Sequence, residues 1–273
     1  MADHAAALDD FTESTFTHTG KTRTVYRQGT GPAVIVIHEM PGVTPEVADF
    51  GRRVAAAGFT TVMPILFGDP GRPLGVGYAA RNLAWGCVTK EFASLVTRTT
   101  SPITVWVRAL AAHAHEECGG PGVGAVGMCF TGGFALAMMV DDRMLAPVLS
   151  QPSLPLGLTK KHRGDLAISD ADLARVRERV AEGACVLGLR FTGDRMVPAA
   201  RFDTLRRELG DGFLAVEIDS MPGNAFGIKR IAHSVLTNDL VDEPGHPTRA
   251  ALDRVLAFFA ERLMSADGDA QAP

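Results

Sequence analysis

Residues 123–139 read VGAVGMCFTGGFALAMM, an apolar run, then a cysteine, then Phe-Thr-Gly-Gly, then more apolar residues. The run up to Met128 has the unbroken apolar character of a strand covered on both faces, and FALAMM that of a core helix. A free cysteine is usually a small core hydrophobe. One placed on the turn between a buried strand and a helix N-terminus is a candidate nucleophile, because that position favours the thiolate and turns it toward solvent. Such a strained turn needs small residues two positions to either side of the nucleophile, where larger side chains would meet the neighbouring strand and helix. Gly127 and Thr131 stand there, with Gly132 and Gly133 beyond, and no serine of the chain has glycine on both sides at this spacing. The competing reading, an inert Cys129 packed in the first turn of a core helix, stays open on this stretch alone.

Outward from the elbow, the chain alternates strand and helix patterns. STFTHTGKTRTVYRQ alternates polar and apolar residues about Thr-Gly-Lys and predicts an antiparallel edge hairpin. PAVIVIHEM and TTVMPIL are buried strands with the helix PEVADFGRRVAAAGF between them, Gly58 standing at its C-terminal cap. Helices are expected in YAARNLAWGCVTKEFASLV and PITVWVRALAAHAHEE. After the elbow come MLAPVLSQP as strand, SDADLARVRERVAEG as a helix capped by Ser169-Asp170, CVLGLRF as strand, ARFDTLRREL as helix, FLAVEID as strand, and RAALDRVLAFFAERL as a closing amphipathic helix. This alternation predicts an α/β fold, a three-layer sandwich around a mostly parallel sheet, spanning 1–273 as one domain with flexible ends at 1–15 and 265–273.

The 273 residues are 46% hydrophobic and 21% charged, with a net charge of −4 spread along the chain. Nothing in that balance points to nucleic acid or to an anionic membrane surface. The four cysteines lack paired spacing, which argues against a disulfide framework or a zinc site and for a reducing, cytoplasmic setting. The N-terminal stretch is acidic without a signal pattern, and no apolar run reaches the length of a membrane span. Residues 122–127, GVGAVG, match the dinucleotide fingerprint in letters only. The glycines precede and enter the strand instead of following it, and no strand-then-acid pattern follows: Asp141 and Asp142 arrive too early, at the end of the helix.

A cysteine nucleophile needs a base and a group to orient that base. CVLGLRFTGD places Asp194 just past a strand, and FLAVEIDSMPGNAFGIKRIAH brings His233 back after the last strand, so the order is nucleophile, acid, histidine. Asp194 could equally be a turn or capping aspartate. His246 is the second choice for the base. His113 and His115, two apart on a helix, diverge and make a poor metal pair.

Together VIVIHEMPGV, GAVGMCFTGGFALAM, FTGDRMVP and AHS resemble the dienelactone hydrolase family of α/β hydrolases, in the family's order and over about residues 20 to 262. The resemblance implies an α/β-hydrolase fold, a Cys129–His233–Asp194 triad and no cofactor. It also implies that Glu39 holds the resting thiol until substrate arrives. Acyl transfer would proceed through Cys129, with the oxyanion held by the backbone N–H groups of Met40 and Phe130. The implied partner is a small-molecule ester or lactone, and the oligomeric state is not read. One departure stands out: the family's best-known members carry a carboxylate-binding arginine four residues after the histidine, where this chain has Thr237. Arg81 and Trp85 are the remaining candidates for contacting substrate. A non-catalytic binding or regulatory protein on the same fold is the alternative from another class, and a reversible redox role for Cys129 is a third.

Overall fold

The computed structural model describes residues 5–75, 77–79, 82, 100–154 and 163–264. Its strands are β1 (Thr12–His18), β2 (Lys21–Gln28), β3 (Ala33–Ile37), β4 (Thr60–Pro64), β5 (Val123–Met128), β6 (Met144–Ser150), β7 (Val186–Phe191) and β8 (Phe213–Ile218). They form one eight-stranded sheet in the order β1-β2-β4-β3-β5-β6-β7-β8. β1–β2 and β2–β4 are antiparallel and every later pair is parallel. The expected edge hairpin turns at Thr19 and Gly20, both at positive φ (47° and 74°), the backbone a two-residue hairpin loop requires.

β3 shows why the sheet is covered twice. Ala33, Ile35 and Ile37 enter one core, with Trp106, Phe134 and Phe202; Val34 and Val36 enter the other, with Phe50, Phe258 and Phe259. All five β3 residues are fully buried, so the period-2 alternation of Cβ atoms places apolar groups in both layers. The first layer holds helices α2 (Pro102–Cys118), α3 (Gly132–Met138), α4 (Asp170–Ala181) and α5 (Ala199–Leu209). The second holds α1 (Pro45–Ala56) and α6 (Pro247–Leu263). Each large apolar side chain hidden this way contributes about 1.5–3 kcal/mol relative to exposure. The buried indole of Trp106 still donates to Lys21 O at 2.9 Å, which avoids the cost of an unmet donor.

Helix starts follow local chemistry. Thr44, Ser101 and Ser169 accept from backbone N–H groups of the first turn, and Pro45 and Pro102 stand where no N–H is needed. Gly58 and Gly183 adopt positive φ just past the ends of α1 and α4. The GVGAVG glycines are packing devices. A Cβ on Gly124 would stand 3.1–3.2 Å from Leu263 and Phe259, and one on Gly127 would stand 2.2 Å from Thr131 O.

The N-terminal end is ordered further out than the sequence suggests. Residues Ala5–Leu8 form a 3₁₀ turn, Leu8 and Phe11 are buried in the second layer, and Asp10 is held by Arg52 at 2.7 Å. The tail from residue 265, residues Arg81 and Trp85, and most of the helix expected around them lie outside the described residues. No helix among the described residues is long and apolar enough to cross a membrane.

Candidate active site

The parallel strands end at one sheet edge, and the loops leaving β3, β5, β6 and β7 meet there. At the end of β5, Cys129 has φ +58°, a left-handed backbone that a non-glycine residue adopts at a cost of order 1–3 kcal/mol. The surroundings make that turn obligatory. A Cβ on Gly132 would stand 2.7 Å from Pro152 and one on Gly133 2.9 Å from Ala167, so only glycine lets α3 approach its neighbours. Thr131 replaces a further small residue by making itself useful. Its hydroxyl accepts from Met128 N at 2.7 Å and lies 2.8 Å from both Ile37 O and Met128 O, which share its single proton. The elbow is thereby tied to the end of β3.

Cys129 does not face solvent, as an exposed turn would have it: it is 4% exposed. The loop after β6 covers it. Ser153 N donates to Cys129 O at 3.0 Å, and Ser153 Oγ lies 3.0 Å from the Cys129 sulfur.

Asp194, just past β7, is buried, and its Oδ2 lies 2.6 Å from His233 Nδ1 while its Oδ1 accepts from Met196 N at 2.8 Å. That fixes the imidazole with Nδ1 toward the acid and Nε2 outward. Nε2 is buried and has no hydrogen-bond partner among the described residues. Burial pulls the His233 pKa down, but the charge of the neighbouring Cys129 and the hydrogen bond to Asp194 outweigh it and hold it well above the usual histidine value. The sulfur is thus close enough to the ring to act on its ionisation, through its charge and as a hydrogen-bonding neighbour, and it also lies 3.0 Å from the Ser153 hydroxyl. Asp239 Oδ2 accepts from both His233 N (2.8 Å) and Ser234 N (2.9 Å), so the loop carrying the histidine is pinned from behind. His246, the other candidate base, is spoken for as the N-cap of α6, where its ring accepts from Thr248 N.

Glu39 is buried at the end of β3, but no hydrogen bond among the described residues joins it to Cys129. Its carboxyl group accepts from Gln151 Nε2 (3.1 Å), Ser234 Oγ (2.7 Å) and Thr237 Oγ1. Those three groups are its side-chain partners at the end of β3 among the described residues. His38 is fully buried; Leu66 N donates to its Nε2 at 3.1 Å, leaving Nδ1–H to donate to Glu39 O at 3.0 Å. Burial pushes its pKa down to about 4, so it is a neutral wall residue at pH 7.

Met40 and Phe130 each stand three residues past Ile37 and Gly127, which pair across the adjacent strands β3 and β5. Phe130 lies in the first turn after the elbow, where backbone N–H groups have no partner within the helix. Sequence reasoning missed Ser153, Gln151 and Asp239. The first two follow directly on MLAPVLS, whose end is level with the elbow because Met128 pairs with Ser150; that register is the signal that would have found them. Among the described residues no group of three or more His, Cys, Asp or Glu is placed to hold a metal ion.

A mostly parallel sheet covered on both faces, with an antiparallel edge pair and a positive-φ residue on the turn after a central strand, defines an α/β hydrolase. Residues 21–263 match the model of the dienelactone hydrolase family, and the chain belongs to that hydrolase family. Similar solved structures include a dienelactone hydrolase from Anabaena variabilis (17% identity, 93% of this chain and 99% of that one, TM-score 0.56). A dienelactone hydrolase-like promiscuous phosphotriesterase from metagenomic libraries is comparable (16%, 93% and 98%, TM-score 0.56). So is a cold-adapted esterase from an Arctic intertidal metagenomic library (13%, 92% and 92%, TM-score 0.52). At these identities the likeness carries the fold. No curated protein matches this sequence.

Proposed function

We propose that the protein hydrolyses carboxylic esters or lactones, with Cys129 as nucleophile, His233 as base and Asp194 as the group that orients it. The observation that carries this reading is the 2.6 Å Asp194–His233 contact, which turns Nε2 away from the acid while Cys129, on a strained elbow, lies close enough to act on the ring. His233 Nε2 takes the thiol proton and the sulfur attacks the carbonyl carbon. The resulting oxyanion is held by the N–H groups of Met40 and Phe130, and loss of one such donor costs about 2.7–4 kcal/mol in rate. Collapse expels the alkoxide, which takes the proton from His233 and leaves a thioester on Cys129. Water, deprotonated by His233, attacks the thioester carbonyl; the thiolate departs and is reprotonated. For a lactone the alkoxide stays joined to the acyl group, and one hydroxy acid leaves.

Thr237, at the position where the resemblance expects an arginine, spends its hydroxyl on Glu39. No cation at that position is available to grip a substrate carboxylate, so the reading extends to esters and lactones without one. The test is hydrolysis of a panel of activated esters and lactones by wild type, Cys129→Ala, His233→Ala and Asp194→Asn. Each substitution is expected to lower kcat/KM by about 10³-fold or more on the substrates the wild type prefers. Full activity in Cys129→Ala returns the cysteine to the core and ends this mechanism.

A further inference from the structure

Arg201, on α5, is a charged residue only 2% exposed, and the reaction just described does not use it. Burying a guanidinium is costly unless its donors are met. Here Nε donates to Asp165 O (2.8 Å), and one terminal nitrogen donates to both Pro152 O (2.7 Å) and Met196 O (3.2 Å). Pro152 immediately precedes Ser153, whose N–H and hydroxyl hold Cys129. Met196 is the residue whose N–H holds Asp194 Oδ1. One side chain therefore spans the two loops that set the nucleophile and the acid.

We propose that Arg201 is a positioning residue of the site, fixing the Ser153 and Asp194 loops against each other and supplying the buried positive charge that favours the Cys129 thiolate. Burial lowers the Arg201 pKa to about 10, while Asp165, Asp194 and Cys129 pull the other way, so all three lie within its electrostatic reach and it stays charged at neutral pH. Among the described residues, His233 is the titrating imidazole beside Asp194 and an ionised Cys129, with Glu39 a further acid behind Gln151 and Asp165 beside Arg201 itself. A second cation offsets that excess of negative groups.

The inference rests on Cys129 as the nucleophile, and its test reads the thiol without substrate. Iodoacetamide alkylation of Cys129, mapped by peptide mass spectrometry, is followed from pH 5 to 9 in wild type, Arg201→Met and Arg201→Lys. Loss of the charge in Arg201→Met is expected to slow alkylation about tenfold at pH 6, and by less as the pH rises. Arg201→Lys, beside the same carbonyls and acids, is expected to stay near wild type. Equal rates in all three proteins overturn the proposal. So does an equal slowing in both variants, since lysine keeps the charge. Should Arg201→Met not fold by circular dichroism, Arg201→Gln, which keeps donors without charge, makes the same comparison. Failure of the functional reading shows elsewhere, as hydrolysis retained by Cys129→Ala.

Discussion

Thr131→Val isolates what the elbow threonine contributes. Valine has nearly the shape of threonine and the residue is fully buried, so no cavity opens, and the methyl in place of the hydroxyl is crowded by Met128 N, Ile37 O and Met128 O, which adds to the loss. What disappears is the acceptor for Met128 N at 2.7 Å and the donor shared by Ile37 O and Met128 O at 2.8 Å. A buried polar group left without its partner costs about 1–3 kcal/mol. One N–H and, effectively, one carbonyl lose theirs, so the expected loss is about 2–6 kcal/mol. Thr131→Ser keeps the hydroxyl and removes one methyl, which costs about 1 kcal/mol in a packed core. Urea unfolding of the three proteins at pH 7 measures both. The order wild type, Ser, Val is the prediction. A valine variant within 0.5 kcal/mol of wild type, or one more stable than the serine variant, would refute the claim that this hydroxyl ties β5 to β3.

Gly127→Ala is expected to cost about 3 kcal/mol or more, or to abolish folding, because its Cβ would stand 2.2 Å from the backbone oxygen of Thr131, which no rotamer can relieve; soluble yield and urea midpoint report it. His38 gives a pH dependence. Its folded pKa of about 4 lies below the unfolded 6.5, so the unfolded chain binds the proton first. The contribution is therefore complete above pH 6.5 and drains away as pH falls to 4, by about 3 kcal/mol in all. Urea stability between those pH values should fall less steeply in His38→Asn than in wild type, and parallel slopes would count against it. Asp239→Ala frees the backbone of His233 and Ser234, and kcat should drop about 10-fold to 100-fold with the urea midpoint changed little; an unaltered kcat would show that the loop holds itself.

The layers were legible because runs such as Ala33–Ile37 are apolar without interruption, and only a strand buried on both faces needs that. Cys129 was legible because the small residues around it are a steric requirement of its backbone. The pairing of Asp194 with His233 followed from chain order. Covering of the thiol was not legible: it depends on the loop after β6 lying over the neighbouring strand end, which is a matter of strand order and not of local pattern. The surroundings of Glu39 were hidden for a related reason. Gln151, Ser234 and Thr237 lie 112, 195 and 198 residues further along, and nothing near Glu39 in sequence indicates them. His246 was ambiguous because a histidine before a proline serves a helix start as readily as it serves chemistry.

Those separations also bear on the order of events at the ribosome. Glu39 is made 195 residues before Ser234, which at about 5–20 residues per second is roughly 10–40 s. Through that interval β3 has its apolar neighbours within reach as they emerge, but the acid at its tip has no hydroxyl to receive it and must stay in water. The rim of the sheet is therefore among the last parts of the nascent protein to close. A chain released before Thr237 would hold a nearly complete sheet with an open, hydrated acid where the finished protein has a sealed one.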